Sequence, residues 1–228
     1  MTDAGIIDDG VLRWDGSRIT RVGPADGNPA GSRLPEDHLI LPGLVDLHCH
    51  GAGGGDFTSG SAADIEAAAA HLHRSGSTTV LASTCAAPLD ELEAAFARLA
   101  DAAEAGLVAG IHAEGPFLSK ERNGAHDPAF LLLPTQEDVA RLVTAGRGRL
   151  ASMTYAPELP GSDVLVYELV MHGVIPSIGH TDSSTEETAA ALDLIRAAKQ
   201  EGLGVTCDTA PSTDHAYEAC PCAFSHGE

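Results

Sequence analysis

At 228 residues the chain has room for one large domain, or for a domain with a small appendage. Hydrophobic content of 43% is that of a globular protein, and a formal net charge of −20 argues against nucleic acid or an anionic membrane as a partner. Five cysteines, an odd count without disulfide-like spacing, fit reduced thiols in an intracellular setting. Met1-Thr2-Asp3-Ala4 opens no signal peptide and no apolar run approaches a membrane span, so the expected location is the cytoplasm.

Residues 1–38 read as a small β-domain of short strands and tight turns. Asp8-Asp9-Gly10 and Asp15-Gly16 are turn signals around Val11-Leu12-Arg13-Trp14, and Arg18 to Gly23 is a second short strand. Trp14 is expected to pack rather than stack on a ligand. From Leu39 the pattern changes to strands alternating with helices. Leu39 to Asp46 is an apolar run ending at His48-Cys49-His50. Ser61-Ala62-Ala63-Asp64 has the form of a capping box and predicts a helix to about Ser75, stopped by Gly76. Thr78 to Thr84 is the next strand. Pro88 opens a helix with Leu89, Leu92, Phe96 and Leu99 on one face, and Gly106 ends it. Gly106 to Ile111 reads as a buried strand running into His112-Ala113-Glu114-Gly115-Pro116-Phe117. Thr135 caps a third helix, Leu150 to Tyr155 is a strand, and a helix over 162–172 leads to the strand before His180. Ser184 caps a helix to about Glu201, and Gly204 to Asp208 reads as a sixth strand.

Repeated β-α units of this length indicate parallel strands covered by helices. No Gly-x-Gly-x-x-Gly follows the first strand and no P-loop lysine is present, so a nucleotide-binding sheet is not indicated. The alternative is a TIM-type barrel, whose chemistry sits at the C-terminal ends of its strands. Three strand ends carry the residue types a divalent metal needs. Strand side chains alternate, so His48 and His50 share a face, and so do His112 and Glu114. His180 follows Val174 to Gly179 and precedes Thr181-Asp182. Imidazole and carboxylate at three strand ends point to one metal site at one end of one barrel. Glu114, His180, His48 and His50 are the candidate ligands. His112 is placed to orient a ligand through its ring N–H, and Asp182 to cap the next helix or buttress His180. His38, His71, His73, His172 and His226 read as surface residues. Cys220-Pro221-Cys222, with His215 and His226, matches no usual zinc spacing. The units number six at most, against eight in a closed barrel, and residues 209–228 are an irregular tail. The barrel, over 39–208, is therefore expected to be incomplete.

Pro42-Gly43-Leu44-Val45-Asp46-Leu47-His48-Cys49-His50-Gly51, His112-Ala113-Glu114-Gly115-Pro116-Phe117-Leu118, Gly124-Ala125-His126 and Gly179-His180-Thr181-Asp182 together resemble the N-acetylglucosamine-6-phosphate deacetylase family, a branch of the metal-dependent amidohydrolases. The resemblance covers roughly residues 1–190. It implies a (β/α)8 barrel with a small β-domain, often assembled as a homo-oligomeric dimer. It also implies one or two divalent ions, often zinc, and a small amino-sugar phosphate as substrate. Within it, Glu114 and His180 are ligands, His48 and His50 can hold a second ion, and Ala125-His126 is the substrate contact, with the histidine polarising the acetyl carbonyl. The implied reaction is attack of activated water on an amide, with a carboxylate carrying the proton to the amine.

Beyond residue 190 the pattern departs. Where the family has a ligand histidine in a Thr-His-Leu-Phe-Asn motif, Val205-Thr206-Cys207-Asp208 stands, which makes Cys207 a candidate thiolate ligand. The family's catalytic aspartate and phosphate-binding residues have no counterpart, so the catalytic residue is unknown. Leu194 to Pro211 instead resembles a dihydroorotase-like segment, which leaves a cyclic-amide or acylamino hydrolase as an alternative. A barrel that binds metal without turnover is the non-enzymatic one.

Overall fold

The computed structural model describes residues 5–27 and 31–202. The predicted sixth strand with Cys207 and Asp208, and the tail, lie outside the described residues. The chain divides into two compact units, Met1–Gly43 and Leu44–Glu228.

The first unit carries an antiparallel pair, β1 (Gly10–Asp15) and β2 (Arg18–Pro24). Asp15-Gly16 forms the predicted turn, with Gly16 at φ 56°. Arg13 and Asp26 make a two-pronged ion pair, with both Asp26 oxygens 2.7 Å from Arg13 Nη2. Trp14 does not pack as expected: it is 67% exposed. Among the described residues of this unit no third strand joins the ribbon, which leaves little apolar surface for the indole to pack on.

In the second unit, β3 (Leu44–Cys49), β6 (Ser77–Thr84), β7 (Gly110–Glu114), β8 (Leu150–Tyr155) and β9 (Ile175–Ile178) form one sheet in that order. Every pairing is parallel and every neighbour is next in sequence, apart from a small hairpin, β4 (Gly51–Ala52) with β5 (Gly55–Asp56), after β3. Helices α1 (Ala62–Arg74), α2 (Leu89–Glu104), α3 (Gln136–Ala145) and α4 (Ser162–Met171) fill the crossovers, and α5 (Thr185–Gly202) follows β9. Sequential parallel strands joined by helices make an arc of a (β/α) barrel with five described strands. The fold is a partial TIM-type barrel.

The local signals act as read. Ser61 and Asp64 close the capping box of α1. Leu92, Phe96 and Leu99 turn the buried face of α2 onto the sheet. Two strands start later than the apolar runs suggested. Gly106, at φ 75°, is the left-handed residue that ends α2, so 107–109 form a connection and β7 begins at Gly110. The run from Leu39 becomes strand only at Leu44. The core lies between sheet and helices, with Val80, Ile111, Ala113, Met153 and Tyr155 against Ile65, Phe96, Leu142 and Leu165. The opposite face of β7 and β8 is polar, and it holds the site.

Candidate metal centre

Glu114, the last residue of β7, is 5% exposed and sits at the centre of four imidazoles. Its Oε2 lies 2.9 Å from His50 Nε2 and 3.3 Å from His48 Nε2. Its Oε1 lies 3.0 Å from His180 Nε2. His126, from the loop between two 3-10 turns, brings Nε2 within 3.3 Å of Oε2. The Nε2 atoms of His48 and His50 are themselves 3.0 Å apart.

Each element presents its group for a local reason. The end of β3 and the residue after it turn His48 and His50 to one side, and the His48 amide donates to Asp46 Oδ1 at 3.2 Å. His180 has a left-handed backbone, φ 50°, which a non-glycine residue holds only when its surroundings fix it. Here they do. The Ser119 amide donates to the His180 carbonyl at 2.9 Å, and Glu158 accepts the Asp182 amide at 2.7 Å and the Thr181 hydroxyl. Asp182 pairs with Arg122 at 2.8 Å. It does not cap α5, because Ser184 and Glu187 form that box. Gly124, at φ +57°, lies so close to the His180 ring that a Cβ there would be 2.9 Å from Cε1.

Two hydrogen bonds set which nitrogen carries the proton when each ring is neutral. His180 Nδ1 faces the Arg122 carbonyl at 2.8 Å and donates there, so the protonated ring donates from Nε2 to Glu114 Oε1, whereas the neutral ring keeps a lone pair at Nε2 for a cation. This is the tautomer of a metal-ligating histidine, with its outer N–H anchored on a backbone carbonyl. His126 is the reverse. The Ala86 amide donates to its Nδ1 at 3.1 Å, so the neutral ring carries its proton on Nε2. His126 therefore presents an N–H to the site and not a lone pair. His50 Nδ1 meets the Cys85 thiol at 3.2 Å.

The charges follow. Burial alone would raise the Glu114 carboxyl, but bonds from His126, His180, His48 and His50 outweigh it and hold the group well below the usual carboxylate range. His50 is pushed up to about 10, first by its bond to Cys85 and then by Glu114. His180 is raised, chiefly by Glu114. His112 goes the other way, down to about 4, because burial disfavours its charge and His48 repels it.

The donor set fits a divalent cation. The ligand atoms of His48, His50 and Glu114 lie within 4.8 Å of one another, and so do those of Glu114, His126 and His180. Imidazole nitrogen with one carboxylate is the mix that suits zinc and its neighbours in the transition series. In its neutral form His180 offers the second group a lone pair, whereas neutral His126 offers it an N–H.

The structure thus brings His48, His50, Glu114 and His180 together, as the strand-end argument expects, and adds His126 to them. Ala125 is exposed beside it. Cys207 is outside the described residues. His112 faces the interior but spends both ring nitrogens on hydroxyls, 2.9 Å from Ser83 Oγ and 2.9 Å from Thr154 Oγ1. His38, His71, His73 and His172 are exposed as expected. The sequence reading missed Cys85, although it directly follows β6 and so stands at a strand end like the candidate ligands. It also missed Glu158, Ser83 and the Ala86 amide.

A family model, that of the amidohydrolase family, matches residues 39–213. The chain belongs to the amidohydrolase family. It is 32% identical over 168 residues to the N-acetylglucosamine-6-phosphate deacetylase of Lysinibacillus sphaericus, a match covering 68% of this chain and 41% of that one. It is 27% identical over 197 residues to the N-acetylgalactosamine-6-phosphate deacetylase of Escherichia coli O157:H7, covering 85% and 52%. Among solved structures, the N-acetyl-D-glucosamine-6-phosphate deacetylase of Mycobacterium smegmatis matches with a TM-score of 0.73 and 37% identity, over 81% of this chain and 49% of that one. The chain spans about half the length of the relatives it matches.

Proposed function

We propose that this chain carries the metal-binding and carbonyl-binding part of a deacetylase acting on an N-acetylated amino-sugar phosphate, with N-acetylglucosamine 6-phosphate as the leading substrate. The observation that carries the reading is the contrast around one buried carboxylate between His180, whose Nδ1 faces the Arg122 carbonyl, and His126, whose Nδ1 accepts from the Ala86 amide. Hydrolysis of an amide needs a seat for a cation and, beside it, a proton donor for the carbonyl oxygen as charge develops there. Glu114 and His180 would hold one ion, and His48 and His50 offer a place for a second. Zinc is the proposed metal. Bound there, it would supply Lewis acidity and a lowered pKa for water. His126 Nε2–H, which faces Glu114 Oε2 at 3.3 Å, would donate to the acetyl carbonyl of a bound substrate, and the Ala86 amide at Nδ1 favours that tautomer. The two free thiols among the described residues, Cys49 and Cys85, suit a reducing, cytoplasmic setting. No helix among the described residues is long and apolar enough to cross a membrane.

The names of the relatives support the substrate class: both curated proteins quoted act on 6-phosphorylated N-acetylhexosamines. A barrel that binds metal without turnover is the second reading. It is favoured by the fact that both ligand groups share a single carboxylate, Glu114, leaving the proton carrier to the amine unassigned among the described residues. The deciding experiment is acetate release from N-acetylglucosamine 6-phosphate by the zinc-loaded chain, with metal content measured on the same sample. Acetate above the level given by zinc alone is expected. A fully loaded protein that releases none refutes the deacetylase reading and leaves the second.

A further inference from the structure

Behind the cluster, a row of buried hydroxyls crosses four neighbouring strands. The Cys49 amide at the end of β3 donates to Ser83 Oγ on β6 at 3.0 Å. Ser83 Oγ meets His112 Nδ1 on β7 at 2.9 Å, and His112 Nε2 meets Thr154 Oγ1 on β8 at 2.9 Å. Ser83 and Thr154 are 0% exposed and His112 is 4% exposed, so no water competes for these groups. Whichever ring nitrogen holds the proton, both bonds form, because a hydroxyl donates to the bare nitrogen and accepts from the protonated one.

The position of this row matters. From Asp46 to Cys49, β3 advances three residues while its partner β6 advances two, Val80 to Ala82. The ladder slips at that bulge, which is where His48 is presented and just before His50. Cys49 fastens its amide to the Ser83 side chain there. The His112 ring also stands edge-on against His48, with centroids 4.6 Å apart and planes at 72°. The bulged end of β3 is therefore tied to the β7 strand that carries Glu114 through Ser83 and His112, not through the sheet ladder alone.

We propose that Ser83, His112 and Thr154 are positioning residues that set the His48–His50 pair against Glu114, and so tune the ion held between them. The inference rests on the metal-centre reading above. Without the Ser83 hydroxyl, the Cys49 amide loses its acceptor and His112 loses one of its two anchors, which frees the ring that walls His48. Partners that orient metal ligands change affinity by about 10–100-fold when removed.

The test is a Co²⁺ titration of the full chain, followed by ligand-field absorption and by competition with a chelator. Melting of the metal-free proteins is recorded in parallel. Ser83→Ala and Thr154→Val are expected to bind Co²⁺ about 10–100-fold more weakly than wild type, with shifted bands. Thr154→Ser, which keeps the hydroxyl, is expected to match wild type. A general loss of stability would lower melting without moving the bands. Wild-type affinity and bands in Ser83→Ala overturn the inference. Equal loss in Thr154→Val and Thr154→Ser overturns it as well, since that pattern marks packing and not hydrogen bonding. A wild-type chain that takes up no Co²⁺ refutes the metal-centre reading itself, and the inference falls with it.

Discussion

Glu114→Gln removes one negative charge and nothing else of comparable size. The native carboxylate accepts from or faces four imidazole Nε2 atoms at 2.9–3.3 Å and is 5% exposed. A glutamine there offers one acceptor oxygen and one amide group that can only donate. At an effective dielectric of about 20, unit charges 4 Å apart attract by about 4 kcal/mol. At about 1.4 kcal/mol per decade, that is roughly a thousandfold in affinity for a monovalent charge, and a divalent ion feels more. Asp182→Asn is the matched control. Its carboxylate pairs with Arg122 at the surface, the two side chains being 47% and 63% exposed. Such pairs are worth about 0–1 kcal/mol, so metal binding should fall less than about fivefold. Both variants and the wild type are loaded with zinc, dialysed against a graded series of a weak chelator, and assayed for metal by mass spectrometry. Retention of stoichiometric zinc by Glu114→Gln at chelator levels that leave wild type loaded would refute the assignment of Glu114 as the shared ligand.

His126→Gln should keep the wild-type metal content, because its Nε2 bears a proton, whereas His180→Gln should lose metal. If turnover is measurable, His126→Gln should also reduce it by about 10²–10³-fold, the usual effect of removing one donor to a developing oxyanion. Metal loss in both variants equally would contradict the tautomer assignment. Gly124→Ala places a Cβ 2.9 Å from His180 Cε1 at a left-handed position. It should destabilise by about 1–2 kcal/mol and weaken metal binding, read by denaturant unfolding and chelator competition. Phe96→Ala, at 0% exposure on α2, should cost about 3–5 kcal/mol in urea unfolding. Leu133→Ala, at 55% exposure, should stay within about 0.5 kcal/mol.

The sequence by itself determined which chain segments carry the candidate ligands. Side-chain alternation in an extended segment predicts His48 and His50 on one face, and an apolar run that ends in His112-Ala113-Glu114 before Gly115-Pro116 marks a strand end. Short-range rules were equally decisive for the helices, since Ser61 with Asp64 and Ser184 with Glu187 make contacts within one turn. What these signals share is locality: each is settled by neighbours a few residues apart.

Tertiary structure decided everything that depends on distant segments. His126 lies in a loop with no period to read, and its role turns on an amide 40 residues earlier, at Ala86. The reach of Glu158 to Thr181 and Asp182, and of His180 to the Arg122 carbonyl, spans 23 to 58 residues. His112 was expected to orient a ligand through its N–H, and only the register of β6, β7 and β8 gives its two nitrogens to Ser83 and Thr154 instead. The physical reason is the same in each case. A ring nitrogen becomes a ligand, a donor or a wedge according to the group on its other side, and in a parallel sheet that group comes from a strand or loop one crossover or more away.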